Sequence, residues 1–188
     1  MFREDFEILK NDLIYFDNNA TSFKPKQVLK AIEDYYNKYT ANAHRGDYKN
    51  SLKVDMIYED TRNLIKNYIN AKQKEEIIFT SGATDSLNMI ASFFKEILKS
   101  GDEVLITKTE HASNVLPWLK LEKEIGIKVK YIPLDKDLKL SVENLEGAIT
   151  DRTKLVSIAH VTNTIGDVRD IKRIGKILDS KNIYFLFY

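Results

Sequence analysis

The chain has 188 residues, 43% of them hydrophobic and 11% aromatic, with a formal net charge of +1; this composition belongs to a folded globular chain and excludes disorder or a global charge bias toward nucleic acid. It contains no cysteine, which removes disulfides, thiolate metal sites and a cysteine nucleophile from this stretch, and no metal site is expected. No apolar run approaches the ~18 residues of a membrane span, and the N-terminus MFREDFEILKND lacks an apolar signal region, so a cytoplasmic protein without membrane contact is expected.

Along the chain, an apolar stretch at Ile14 to Phe16 precedes the turn-rich DNNATS, whose Asp, Asn and Ser side chains bond their own backbone. A helix is predicted from Pro25 through Val28, Leu29, Ile32, Tyr35 and Tyr36. TANAHRG, from Thr40 to Gly46, has no periodicity. Val54, Ile57, Tyr58, Thr61, Leu64, Ile65, Tyr68 and Ile69 then mark a long amphipathic helix. Ile77 to Phe79 reads as a short buried strand, and Leu87, Ile90, Ala91, Phe94 and Leu98 as the helix that follows it. Between the two lies the corner Thr80 to Asp85. Ser81 or Thr84 can cap that helix, and Gly82 permits angles and approaches that a side chain forbids. Free amides at such a corner attract an anion, most naturally a phosphate.

Beyond Leu98 the alternation becomes regular. Strands are predicted at 103–107, 129–134, 155–159 and 183–188. Helices are predicted at 112–124, ended by Gly126, at 141–149, capped by Ser141, and at 171–178. Strands alternating with helices at this spacing imply an α/β fold with a mainly parallel sheet. No linker divides the chain. Its last six residues, IYFLFY, read as a buried strand, and a domain seldom ends that way, so residues 1–188 are expected to be an incomplete part of a larger domain.

Ligands of such sheets bind beyond the carboxyl ends of the strands. Polar groups follow the predicted strands there: the Gly82-Ala83-Thr84 corner, Glu110-His111, and His160 to Asn163, with Asn18 to Thr21 after the early apolar stretch. A lone histidine such as His111 is usually structural. Its convergence with an anion corner on a neighbouring strand favours a site.

The motifs SGATD, TEHASNVLPW, KYIPLD and HVTNTIGD, with FDNNATS and ANAHRG upstream, resemble in unbroken order the N-terminal half of the class V aminotransferase-fold enzymes. The nearest likeness is to the cysteine desulfurase and selenocysteine lyase branch. The resemblance implies a fold type I large domain and the cofactor pyridoxal 5'-phosphate. Gly82, Ala83 and Thr84 would hold the phosphate, through amides and the Thr84 hydroxyl. His111 would stack on the pyridine ring and take part in proton handling, and Asn163 would bond the phenolic oxygen. Asn19, Ala20 and His44 would approach the substrate, and His160 would be structural and buried.

The resemblance further implies a small amino-acid substrate, cysteine or selenocysteine, a homodimer in the full-length enzyme and a sulfur acceptor protein. Other class V enzymes, an aminotransferase or a kynureninase-like hydrolase, and a non-catalytic remnant are the competing readings. Three positions depart from the family pattern: Ala83 stands where a threonine is common, Ala112 where a second histidine often follows, and Asp47 where many relatives have histidine. The aspartate that pairs with the pyridine nitrogen, the lysine that binds the cofactor and the catalytic cysteine come later in relatives. This chain is therefore expected to be inactive alone.

Overall fold

Strand β1 (Glu103–Ile106) is buried throughout and strand β3 (Thr153–Ile158) over residues 155–158, on both faces, as parallel strands covered by helices require. In the computed structural model, which describes residues 2–188, they lie at the centre of a four-stranded, wholly parallel sheet. Strand β2 (Lys128–Tyr131) and strand β4 (Tyr184–Phe187) form its edges, in the order β2-β1-β3-β4. Leu105 pairs with both Lys130 and Val156, and Val156 with Phe185.

Helices α3 (Ala83–Phe94), α4 (Ala112–Ile125), α5 (Val142–Ala148) and α6 (Ile171–Ser180) belong to the same unit. Because side chains alternate across a strand, Val104 and Ile106 join Ala91, Phe94, Trp118 and Leu121 of α3 and α4 on one face. Leu105, Val156 and Ile158 meet Leu145, Ile174 and Leu178 of α5 and α6 on the other. Burying one such side chain is worth about 1.5–3 kcal/mol. The predicted caps form here: Gly126 ends α4 in the left-handed conformation at φ 78°, and the Ser141 hydroxyl accepts from the Asn144 amide. At the amino end of the sheet, burial pushes the Glu103 carboxyl up, but Lys130 at 2.6 Å and the Thr150 and Thr153 hydroxyls outweigh it and hold the group below its ordinary value.

Residues up to Phe79 form a second compact unit, divided from the first between Phe79 and Thr80. After short 3-10 turns it contains helix α1 (Lys26–Asp34), a π-helical turn Tyr35–Tyr39 and helix α2 (Lys49–Tyr68). Pro25 precedes α1 at the N-cap with φ −67°, so the helix starts one residue later than its sequence suggests. Lys74 and Arg62 both engage Glu59, at 2.6 and 3.3 Å.

Two expectations are corrected. Ile77 to Phe79 is not a strand: a 3-10 turn at Lys74–Glu76 precedes it, and although Ile77 is buried, Ile78 and Phe79 are exposed. An apolar run becomes a strand only when another backbone completes its ladder, and the four described strands pair among themselves. The terminal run is a strand but not a buried one. Tyr184 and Phe187 are 54% and 50% exposed because β4 lies at an edge. The apolar residues of α2 keep their helical spacing, yet Leu64 and Tyr68 are exposed, as is Ile69 just beyond its end.

Candidate functional site

The chain leaves β1 toward β2 on one side and returns to β3 on the other, so the strand order reverses between β1 and β3. Connections diverging from two such strands open a crevice at their carboxyl ends. His111 follows β1 and Asn163 follows β3, so the topology brings both to this switch point. Helix α3 packs on α4 and runs back into β1 through a short connection. Its N-terminus, with the Gly82 corner, therefore belongs to the same end of the sheet.

At the corner Gly82 is the N-cap, with φ 157° and ψ 176°, a combination essentially reserved for glycine. No side chain caps the helix. The expectation that Ser81 or Thr84 would do so is corrected: the Asp85 carboxylate accepts from both the amide and the hydroxyl of Ser81, at 3.2 and 3.1 Å. Thr80 Oγ1 in turn lies 2.7 Å from Ser86 Oγ. The first backbone bond of the helix runs from the Ser86 amide to the Gly82 carbonyl. The amides of Ala83 and Thr84 thus precede the intrahelical ladder, and a helix start directs such amides outward. A Cβ on Gly82 would meet nothing within 4 Å, so the cradle is open.

His111 is the N-cap of α4 and is exposed. The Ser113 amide donates to its Nδ1 at 3.2 Å, and Ser113 Oγ lies 2.6 Å from the same atom. An amide can only donate, so Nδ1 is an acceptor and the neutral ring carries its proton on Nε2. The ring is oriented by its own helix start. Asn163 sits at the exposed tip of a small hairpin, closed by a Val161–Val168 bridge and by the Thr162 amide bonding the Asp167 carbonyl at 3.1 Å.

Beneath these groups lies a polar network. Glu110 receives Arg169 Nη1 and the Thr107 hydroxyl, both at 2.6 Å, on one oxygen, and the Ala159 amide, Asn114 Nδ2 and the Tyr188 hydroxyl on the other. The side chains of Glu110 and Arg169 are wholly shielded from solvent. Arg169 also donates to the Ala159 carbonyl and to Thr107 and Thr109. Asn114 continues the network to Ser157 and to the Trp118 indole. Burial, and next the Glu110 charge, push the Tyr188 phenol up to about 12.

Sequence reasoning placed Glu110 near the site but missed Arg169, Thr107 and Tyr188. The ion pair joins residues 59 positions apart, and GDVRD reads as an ordinary polar loop. His160 is half-buried, and its backbone ties Arg169 and Tyr188 to the sheet end. Asn19, Ala20 and His44 belong to the other unit. Ala20 closes a turn onto the Asp17 carbonyl, and Asn19 lies within that turn. His44 adopts φ 57°, donates its amide to Asp55 and stacks edge-on against Tyr58.

Helix-start amides, an imidazole and an asparagine thus belong to the end of an open α/β sheet where the strand order reverses, the place at which such sheets take their ligands. The chain belongs to the aminotransferase class-V family, whose profile matches residues 14–187. It is 43% identical to a probable cysteine desulfurase of Borreliella burgdorferi, over 96% of this chain and 44% of that protein. The apo cysteine desulfurase of Thermococcus onnurineus NA1 superposes with a TM-score of 0.92 at 38% identity, over 99% of this chain and 46% of that one. SspA in complex with cysteine matches with a TM-score of 0.83 at 27% identity, over 93% of this chain and 50% of the other. The chain spans less than half the length of the curated relatives it matches.

Proposed function

We propose that this chain supplies the cofactor-holding part of a pyridoxal 5'-phosphate-dependent, cysteine desulfurase-like enzyme, residues 1–188 forming the N-terminal part of its large domain. The observation that carries the reading is the switch point, where a helix start without a side-chain cap, a ring-oriented histidine and an asparagine-tipped loop belong to one end of the sheet. These residues fit the cofactor. The Gly82 cradle is open, Ala83 and Thr84 offer first-turn amides to a phosphate, and Thr84 would add its hydroxyl to them.

The bound cofactor would supply an electron-poor ring that withdraws electrons from a substrate carbon. His111 would pack its flat imidazole on that ring, with Nδ1 engaged by Ser113 and the Nε2 proton directed away from the helix start. Asn163 would donate its side-chain amide to the phenolic oxygen. Asn19, Ala20 and His44 would serve the substrate side. In the complete enzyme the reaction would remove sulfur from L-cysteine, leaving alanine and an enzyme persulfide. The bound cysteine of SspA supports an amino-acid substrate. A homodimer, a sulfur acceptor protein and a cytoplasmic setting belong to the same proposal; among the described residues no helix is long and apolar enough to cross a membrane.

Titrating the 188-residue chain with pyridoxal 5'-phosphate, followed by its induced circular dichroism, tests the reading. Saturable binding at one site per chain, competed by inorganic phosphate and without turnover of cysteine, is expected. Binding that never saturates overturns the site, and a single-lysine adduct trapped by borohydride together with cysteine turnover overturns the expected inactivity of the chain alone.

A further inference from the structure

We propose that the buried Glu110–Arg169 pair is a positioning device that orders His111 and the Asn163 hairpin together, so that two groups assigned to one ligand are set by a single ion pair. Glu110 precedes His111 directly in the chain. Its Oε2 receives the Tyr188 hydroxyl at 3.1 Å, and the same hydroxyl accepts the His111 amide at 3.2 Å. The backbone of His111 is thus held from both sides, by the peptide bond to Glu110 and by the Tyr188 hydroxyl that Glu110 orients. The Asn114 side chain bonds Glu110 and the Ser157 carbonyl at 3.1 Å each, pinning the first turn of α4 to β3.

Arg169 performs the same service for the hairpin. It stands at the hairpin's base, where its amide bonds the His160 carbonyl at 3.0 Å and its guanidinium bonds the Ala159 carbonyl at 3.1 Å. The fork then crosses to Thr107, Thr109 and Glu110 in the β1 loop. A planar guanidinium with donors in fixed directions suits this bridging better than an ammonium, which keeps the charge but not the fork. One cross-link therefore joins the two connections that diverge at the switch point. The use of His111 and Asn163 rests on the function proposed above; the cross-link rests on the geometry alone.

The test uses the 15N-labelled 188-residue chain. The wild type is expected to show His111 as the Nε2–H tautomer, with slow exchange of its amide and of the amides at 162, 166, 167 and 169. In the double variant Glu110→Gln/Arg169→Met these amides are expected to exchange at least tenfold faster and the tautomer to become mixed, while protection at Leu105 of the central strand and Leu178 of α6 is retained; Arg169→Lys should restore part of the order. A double variant with an intact core and unchanged His111 and hairpin signals overturns the proposal.

Tyr188→Phe removes one hydroxyl and keeps the fold testable where the double variant does not. It should speed exchange at the His111 amide about tenfold without affecting 162–169, and an unchanged rate there overturns the link to His111. Pyridoxal 5'-phosphate binding to the same samples is read separately. Its absence in the wild type defeats the cofactor reading, while the exchange data alone decide the positioning device.

Discussion

Glu110 and Arg169 meet at 2.6 Å with neither side chain touching solvent. Each is expensive to bury alone, and breaking such a pair by removing one partner typically costs about 3–5 kcal/mol, because the other charge is left behind. Both carboxylate oxygens are saturated by further donors, so the cost of desolvation is offset by hydrogen bonds as well as by charge. Glu110→Gln and Arg169→Met are each expected to lower the unfolding free energy in urea by about 3–5 kcal/mol. The double variant should lose clearly less than the sum. Additive losses would show that the two side chains act independently.

Tyr188 makes stability fall in alkali. Its phenol is raised from 10.0 to about 12 by burial and by the Glu110 charge. A group raised on folding favours its protonated form in the native state, so its contribution is complete below pH 10 and is lost as the pH rises through about 12. Denaturant midpoints measured from pH 9 to 12 should decline more steeply for the wild type than for Tyr188→Phe. Parallel profiles would show that the hydroxyl makes no difference.

Gly82 is required for its backbone and not for lack of room. At φ 157° and ψ 176° an L side chain is strained, although a Cβ there meets no neighbour within 4 Å. Gly82→Ala should cost about 1–3 kcal/mol in thermal or urea unfolding and should weaken pyridoxal 5'-phosphate binding, because the corner must change its angles. A variant with wild-type stability and affinity would show that the corner adapts freely.

The two residues after Gly82 give opposite expectations. Both are exposed at the helix start, so substitution there leaves the core intact. Thr84→Val removes a hydroxyl from the proposed phosphate site and should weaken pyridoxal 5'-phosphate binding roughly tenfold, about 1.4 kcal/mol. Ala83→Thr adds a hydroxyl beside it and should strengthen binding. Isothermal titration of both variants decides the matter, and equal affinities would place the phosphate elsewhere.

Local signals in the sequence were reliable where one element carries its own answer. Ser141 caps α5, Gly126 ends α4, and the apolar runs at Val104 and Val156 become central strands because their neighbours are strands of the same sheet. The same signals misled at Ile77 to Phe79, where the apolar run has no ladder to join, and at Ser81, where a carboxylate four residues ahead takes the hydroxyl that was expected to cap the helix.

By itself the sequence determined the alternation of strands and helices, the parallel sheet, the family motifs and the candidates Gly82, Ala83, Thr84, His111 and Asn163. Periodicity, caps and motifs are properties of neighbouring residues, and a linear reading reaches them. Only the tertiary structure decided that β1 and β3 flank the reversal in strand order, that β4 is an exposed edge, and that Glu110 is joined to Arg169, Thr107 and Tyr188. An ion pair between residues 59 positions apart leaves no trace in local pattern, because its stability comes from exclusion of water at a place that exists only once the sheet has formed.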